Sequence, residues 1–310
     1  MTVLAVSTWH KRPDLLVEQI NSYSVALDGD VVHMINVNTD FEEEFWRDAE
    51  SLGIDFSKCG NVYFAERPMR TCYGGVAHAF FNGVLEAQRR NLKFDYVYWH
   101  TSSDVMIKPG AMRHIRRYDL GFKSSAGRIF HIETSEGRDR VVFPDAPESR
   151  WLRAISADPK SARTLASMGM PRLYKMRSEG SFFRRDIFFE IMYPLLANMS
   201  MHEMPSEPKD AYPIEEYLFA HCVEFFCQRN SVRRAHNLVF TSRSADKIIS
   251  PDEVEQVLLS EDLFAVKRLS SDLDAPDRLL ARKTLGLVDA KKKAPKRLLR
   301  AREARSEILP

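Results

Sequence analysis

The apolar positions of the chain change period repeatedly, and that alternation predicts its elements. Thr2 to Val6 is a short apolar run that reads as a buried strand, followed by polar Ser7-Thr8. From Pro13, apolar residues recur at helical spacing, with Leu15, Leu16, Ile20, Tyr23 and Leu27 on one face. Val31–Val37 is a second strand, Phe41–Leu52 a helix and Val62–Phe64 a third strand. A long helix follows Gly74-Gly75 and carries Phe80, Phe81, Val84 and Leu85 toward Arg90. Phe94–Trp99 is the most strand-prone run and ends in His100-Thr101-Ser102-Ser103-Asp104. Strands alternating with helices predict an α/β fold with a parallel sheet and crossover helices. Regularity fades over 131–158, which is rich in Pro, Arg and acidic residues and reads as a loop over the site. A strand near Gly180–Phe183, helices near 186–196 and 213–228, and a strand near Leu238–Thr241 complete the pattern.

The 310 residues suffice for one large domain or two modest ones, and 44% hydrophobic with 28% charged residues is ordinary for a globular protein. No apolar stretch approaches the roughly 20 residues that span a bilayer. The N-terminal strand lacks the charged leader of a signal peptide, and four cysteines without a Cys-x-x-Cys pair read as reduced core thiols, so a cytoplasmic location is expected. Charge is uneven. Residues 291–310 hold eight Lys or Arg against two Glu, a net of +6 against +2 for the whole chain, which leaves the rest at −4. A basic tail over 289–310 thus follows a mildly acidic body at 1–288. Basic residues with interspersed Leu298, Leu299, Ile308 and Leu309 suit the anionic inner face of a membrane. A net-acidic body does not suit nucleic acid.

The most informative run is Glu216-Tyr217-Leu218-Phe219-Ala220. Pro213 suits the first turn of a helix, which puts Glu215 and Glu216 in that turn. Neighbouring helical residues point about 100° apart, so one of the two carboxylates at most is expected to face a given cleft. Asp104 follows the central strand, where binding groups of open α/β sheets collect.

Several islands resemble, in order, the branching N-acetylglucosaminyltransferases (the core-2/I-branching type) and their xylosyltransferase relatives. Ser103-Asp104-Val105-Met106-Ile107-Lys108 resembles the family's Gly-x-Asp-(aromatic)-Pro-(aliphatic)-Lys segment. Gly180-Ser181-Phe182-Phe183 is similar to its Gly-Ser-x-(aromatic) strand. The Glu216 run is similar to Asp-Glu-Tyr-Leu-Trp-Ala, Leu263–Lys267 to Leu-Phe-Ala-x-Lys-Phe-Asp, and Tyr73-Gly74-Gly75 to Trp-Gly-Gly. The run from Glu148 through Arg150 and Trp151 to Arg153 resembles an Arg-Trp-Lys-Lys-Arg run of the acceptor region.

That resemblance implies a GT-A fold, with a nucleotide-sugar-binding half (1–130) and an acceptor-binding, catalytic half (131–288), a UDP-sugar donor and inverting transfer to a glycan or glycolipid hydroxyl without a metal or other cofactor. It implies Glu216 as base; Asp104, Lys267, Arg243, Ser7 and Tyr73 around the donor, with Lys247 a rival to Arg243 for the diphosphate; and Glu148, Arg150 and Trp151 around the acceptor. Metal-dependent GT-A enzymes carry Asp-x-Asp where this chain reads Ser102-Ser103-Asp104. Asp28–Asp30 and Asp272–Asp274 have that spacing but read as solvated surface. A nucleotidyltransferase and a non-catalytic nucleotide-sugar binder stay open as rival readings.

Overall fold

The computed structural model describes residues 1–72, 75–125, 127–145, 149–199, 212–242 and 248–287. Three parallel strands lead, β1 (Val3–Trp9), β2 (Val31–Val37) and β3 (Val62–Phe64), joined by α1 (Pro13–Ala26) and α2 (Glu42–Ser51). All seven residues of β1 are buried, as expected of a parallel strand covered on both faces. Pro13 sits at the start of α1, and the chain leaves that helix through Asp28 and Gly29, both with positive φ.

After α3 (Ala77–Arg89), β4 (Tyr96–Trp99) pairs with the other side of β1. The strand order therefore reverses at β1, and the crevice outside the carboxyl ends of β1 and β4 is a topological switch point. The helix α3 lies close on the sheet. A Cβ on Gly83 would come within 2.8 Å of Val6 Cγ1, so only glycine allows this approach. Beside it Phe80 stacks on Trp99 at 3.5 Å between ring centres, and Phe81, Phe183, Phe188 and Phe219 close the aromatic core.

The chain continues through β5 (Asp104–Met106), α4 (Ala111–Ile115), β6 (Leu120–Ser125), β7 (His131–Ser135), β8 (Arg138–Val142), α5 (Arg150–Ala157), α6 (Pro159–Ala166) and β9 (Lys175–Arg184). Then come α7 (Arg185–Asn198), α8 (Leu218–Arg229), β10 (Arg234–Ala235), β11 (Val239–Phe240), α9 (Pro251–Leu259), β12 (Ala265–Lys267) and α10 (Pro276–Thr284). The main sheet has seven strands in the order β10-β6-β9-β4-β1-β2-β3, and only β9 runs against its neighbours. It is the expected Rossmann-like, mostly parallel α/β sheet flanked by helices, and it draws strands from both expected halves of the body. A small sheet, β11-β12-β5, sits beside it.

Two expectations need correction. The segment 131–158 is not a loop: β7 and β8 form a hairpin whose turn residues Glu136 and Gly137 have φ of 53° and 72°, and α5 follows. Left-handed backbone at both central positions matches the twist of the strands. The polar composition that suggested a loop belongs to an exposed ribbon. Further on, the helix expected from residue 213 begins at Leu218, and residues 214–217 form a turn. Tyr217, at the cap, has φ −118° and ψ −69°, outside helical geometry.

Candidate functional site

The carboxyl ends of β1, β2 and β4 open on a cleft of about 420 Å³, within the usual size of a small-ligand site. Thr8 and His10 from the end of β1, Asn38 from that of β2, and Thr101 to Ser103 after β4 form one wall. Ser178 and Glu179 of β9, Lys267 of β12, Trp151 of α5, and Pro213, Glu215 and Glu216 line the cleft too, as does Thr71 with its neighbours Cys72 and Val76 and, after β2, Phe41.

Asp104, the residue after Ser103, is fully buried behind this wall and does not line the cleft. Its carboxylate accepts hydrogen bonds from the Thr101 backbone N–H and hydroxyl, both at 2.9 Å. Burial pushes its pKa up to about 6, against the pull of the Lys267 ammonium. The register of the small sheet makes this proximity inevitable, because β12 and β5 pair with Lys267 directly opposite Asp104.

Lys267 is not a free cation here. Its ammonium forms an ion pair with Glu179. Burial pushes the Glu179 carboxyl up, but the lysine beside it prevails and holds it below the usual range. Glu179 is held by its backbone as well. Asn237 Nδ2 donates to the Glu179 carbonyl at 2.9 Å, and the next residue, Gly180, has φ 76° with Val239 packed where a side chain would stand. Only glycine fits there, and the kink turns Glu179 into the cleft.

The two adjacent glutamates behave differently. Glu216 pairs with Lys175 at 3.3 Å, and its carbonyl accepts from the Met176 N–H of β9 at 2.8 Å. Burial raises its pKa, opposed by Lys175. Glu215 is 4% exposed and its Oε2 has no hydrogen-bond partner. Burial lifts its pKa to about 8, so it is protonated at neutral pH. Both residues line the cleft, contrary to the expectation that one would turn away. The 100° rule applies to helical residues, and these two occupy the turn before α8. Upstream, Tyr212 fixes that turn by donating to Asp158 Oδ2 at 2.7 Å, with its hydroxyl 2.6 Å from Ser161 Oγ.

The structure thus buries Asp104 behind the lining and brings Lys267, Glu216 and Trp151 to one cleft. Arg150 is next to it, its guanidinium 3.8 Å from the centre of the Trp151 ring. Ser7 does not reach the wall. It is buried in β1 with an unpartnered hydroxyl, while the next residue, Thr8, lines the cleft, as the alternation of a strand requires. Tyr73, Glu148, Arg243 and Lys247 lie outside the described residues. Sequence reasoning missed Glu179 and Lys175, although a carboxylate immediately before Gly180-Ser181 in a buried strand was a usable signal. Asp28 and Asp30 lie before β2, at the opposite end of the sheet from the cleft. Asp272 and Asp274 lie in a turn before α10, where Asp272 Oδ1 accepts the Asp274 N–H.

No family model matches the chain, and no curated protein matches it. Solved structures with some likeness include galactosyltransferase LgtC in complex with donor and acceptor sugar analogs, at 11% identity and TM-score 0.39 over 99% of this chain and 100% of that one. A glycosyltransferase involved in the glycosylation of the major capsid of PBCV-1 has 12% identity and TM-score 0.35 over 93% of this chain and 100% of that one. The 4-diphosphocytidyl-2C-methyl-D-erythritol synthase of Anaerococcus prevotii has 12% identity and TM-score 0.39, covering 82% and 95%. Similarity at this level carries neither a fold assignment nor an activity to this chain.

Proposed function

We propose that the protein is an inverting GT-A glycosyltransferase that moves a sugar from a UDP-sugar, such as UDP-N-acetylglucosamine, to a hydroxyl of a glycan or glycolipid. The observation that carries this reading is the meeting of Lys267 and Glu216, some 50 residues apart in the chain, in one cleft at the switch point, with Asp104 buried behind the lining and paired in register with Lys267.

In this reading the nucleotide lies along Thr8, Asn38 and Thr71, and the diphosphate faces Lys267. Glu216 takes the proton from the acceptor hydroxyl as that oxygen attacks the anomeric carbon. The new C–O bond forms on the face opposite the departing UDP, so the configuration inverts. General-base assistance of this kind contributes roughly 10²–10⁴ in rate. The pairing with Lys175 supports an ionised Glu216, whereas a protonated Glu215 has no capacity to accept a proton at neutral pH. Metal independence is part of the proposal. The strand end supplies one carboxylate, and both oxygens of Asp104 already accept from Thr101. Lys267, with Arg243 or Lys247, then takes the place of a divalent ion in stabilising the leaving diphosphate. Trp151 and Arg150 offer an aromatic face and a cation to the acceptor.

Among the described residues no helix is long and apolar enough to cross a membrane. The basic segment from Lys291 to Arg305 is proposed to hold the enzyme at an anionic membrane surface, near a lipid-linked acceptor.

A thermal-shift screen across nucleotide sugars tests the reading. A donor at 100 times its Kd adds about 2.7 kcal/mol of stability. Stabilisation by a UDP-sugar and by UDP is expected, and no response to any uridine nucleotide would refute it.

A further inference from the structure

Three carboxylates line the cleft and Asp104 is buried behind it, and Glu179 is the one that forms an ion pair with the cation proposed for the diphosphate. Charged groups surround Glu179. Lys267 faces it from β12, Asp104 from β5, Glu215 and Glu216 from the turn before α8, and Arg177 stands on its own strand. Lys11 acts on Asp104 and Lys267, and Lys175 pairs with Glu216. Asn237 and Gly180 fix the Glu179 backbone, and its side chain is only 16% exposed. A diphosphate arriving at Lys267 brings negative charge against a carboxylate that is already there. If Lys267 turns to the phosphate, Glu179 loses its counter-ion and is left among three other carboxyl groups.

We propose that Glu179 is a resting-state counter-ion that the donor displaces: the diphosphate takes Lys267 over, and Glu179 picks up a proton as the donor binds. This rests on the nucleotide-sugar reading above. The proton comes from solvent and returns when UDP leaves, so no other reactant is consumed. Donor affinity is then set partly by pH, falling as pH rises above the free protein's Glu179 pKa and levelling off once pH passes the higher pKa of the complex.

The test measures UDP binding by calorimetry to wild type and Glu179→Gln, whose amide keeps the shape without the charge. At about pH 8.5 the variant is expected to bind UDP about tenfold more tightly or better, with the advantage shrinking as pH falls and reaching unity only in the acid range where Glu179 of the free protein is itself protonated. The ratio of the two proteins cancels the titration of UDP itself. Uridine, which has no phosphate, is expected to bind both alike and reports that the variant is folded. Independently of any variant, wild type is expected to take up a proton on binding a UDP-sugar, read as a dependence of the binding heat on the ionisation heat of the buffer. Equal or weaker UDP binding by Glu179→Gln at high pH overturns the inference, as does binding of a UDP-sugar without proton uptake. Failure of wild type to bind any uridine nucleotide overturns the nucleotide-sugar reading and this inference together, and so is distinguishable from the other two results.

Discussion

Replacing Glu215 by Gln should stabilise the protein at neutral pH, although the residue lies in the cleft. Its pKa moves from an ordinary 4.5 to about 8 because it is buried, and its Oε2 has no partner. The folded state therefore binds a proton that the unfolded chain releases. For an acid whose folded pKa is raised, stability is fully present below the unfolded pKa and is lost as pH rises toward the folded one. One pKa unit is worth about 1.4 kcal/mol, so wild type has lost about 3 kcal/mol at pH 7 and about 5 kcal/mol by pH 8.5, relative to a neutral group. Glutamine escapes this loss but brings an N–H without a partner, at about 1–2 kcal/mol. Glu215→Gln is therefore expected to be level with or slightly below wild type at pH 5 and about 2 kcal/mol more stable at pH 7, with the gap still widening at pH 8.5. Urea denaturation at the three pH values reads this as a midpoint difference that grows with pH at constant slope. A difference independent of pH, or a variant less stable than wild type at pH 8.5, would show that Glu215 is ionised in the native protein, and the assignment of the base to Glu216 would lose its support.

Lys267→Ala is expected to weaken UDP binding by roughly 10- to 100-fold and uridine binding little, since its role is toward charge on the diphosphate; calorimetry with both ligands checks this, and equal losses would make Lys267 structural. Asp104→Ala removes the acceptor of two hydrogen bonds from Thr101 and should cost about 2–3 kcal/mol in a denaturation experiment. Truncation at Ala290 is expected to leave UDP binding unchanged while reducing sedimentation with anionic liposomes in a salt-dependent way; identical sedimentation of the two forms at low salt would remove the tail from the account.

The parallel half of the sheet was legible because its signals are local. Val31–Val37 and Val62–Phe64 emerge with the boundaries read from their apolar runs, and Pro13 marks the start of α1. Asp104 was legible for the same reason, standing just past the most strand-prone run. What escaped depends on distant pairings or on backbone detail. The hairpin of β7 and β8 is exposed and polar, so it lacks the apolar alternation that marks a half-buried strand. The turn at 214–217 resembles a helix start in composition, and its departure from helical geometry brings both Glu215 and Glu216 to the cleft. The ion pair of Glu179 with Lys267 joins residues 88 apart, so no window of the sequence contains it. Ser7, expected at the donor, misses the wall because β1 runs to Trp9 and the alternation hands that place to Thr8.

The central claim is that this cleft uses a UDP-sugar, with Glu216 as the base and no divalent ion. Release of UDP from a UDP-sugar that stabilises the protein, followed in the presence of EDTA, tests it most directly. Wild type is predicted to release UDP at an undiminished rate under chelation. Glu216→Gln is predicted to be slower by roughly two to four orders of magnitude with UDP affinity nearly intact, and Glu215→Gln to stay close to wild type. Activity that disappears with EDTA and returns with manganese, or a Glu216→Gln enzyme as fast as wild type, would contradict the account.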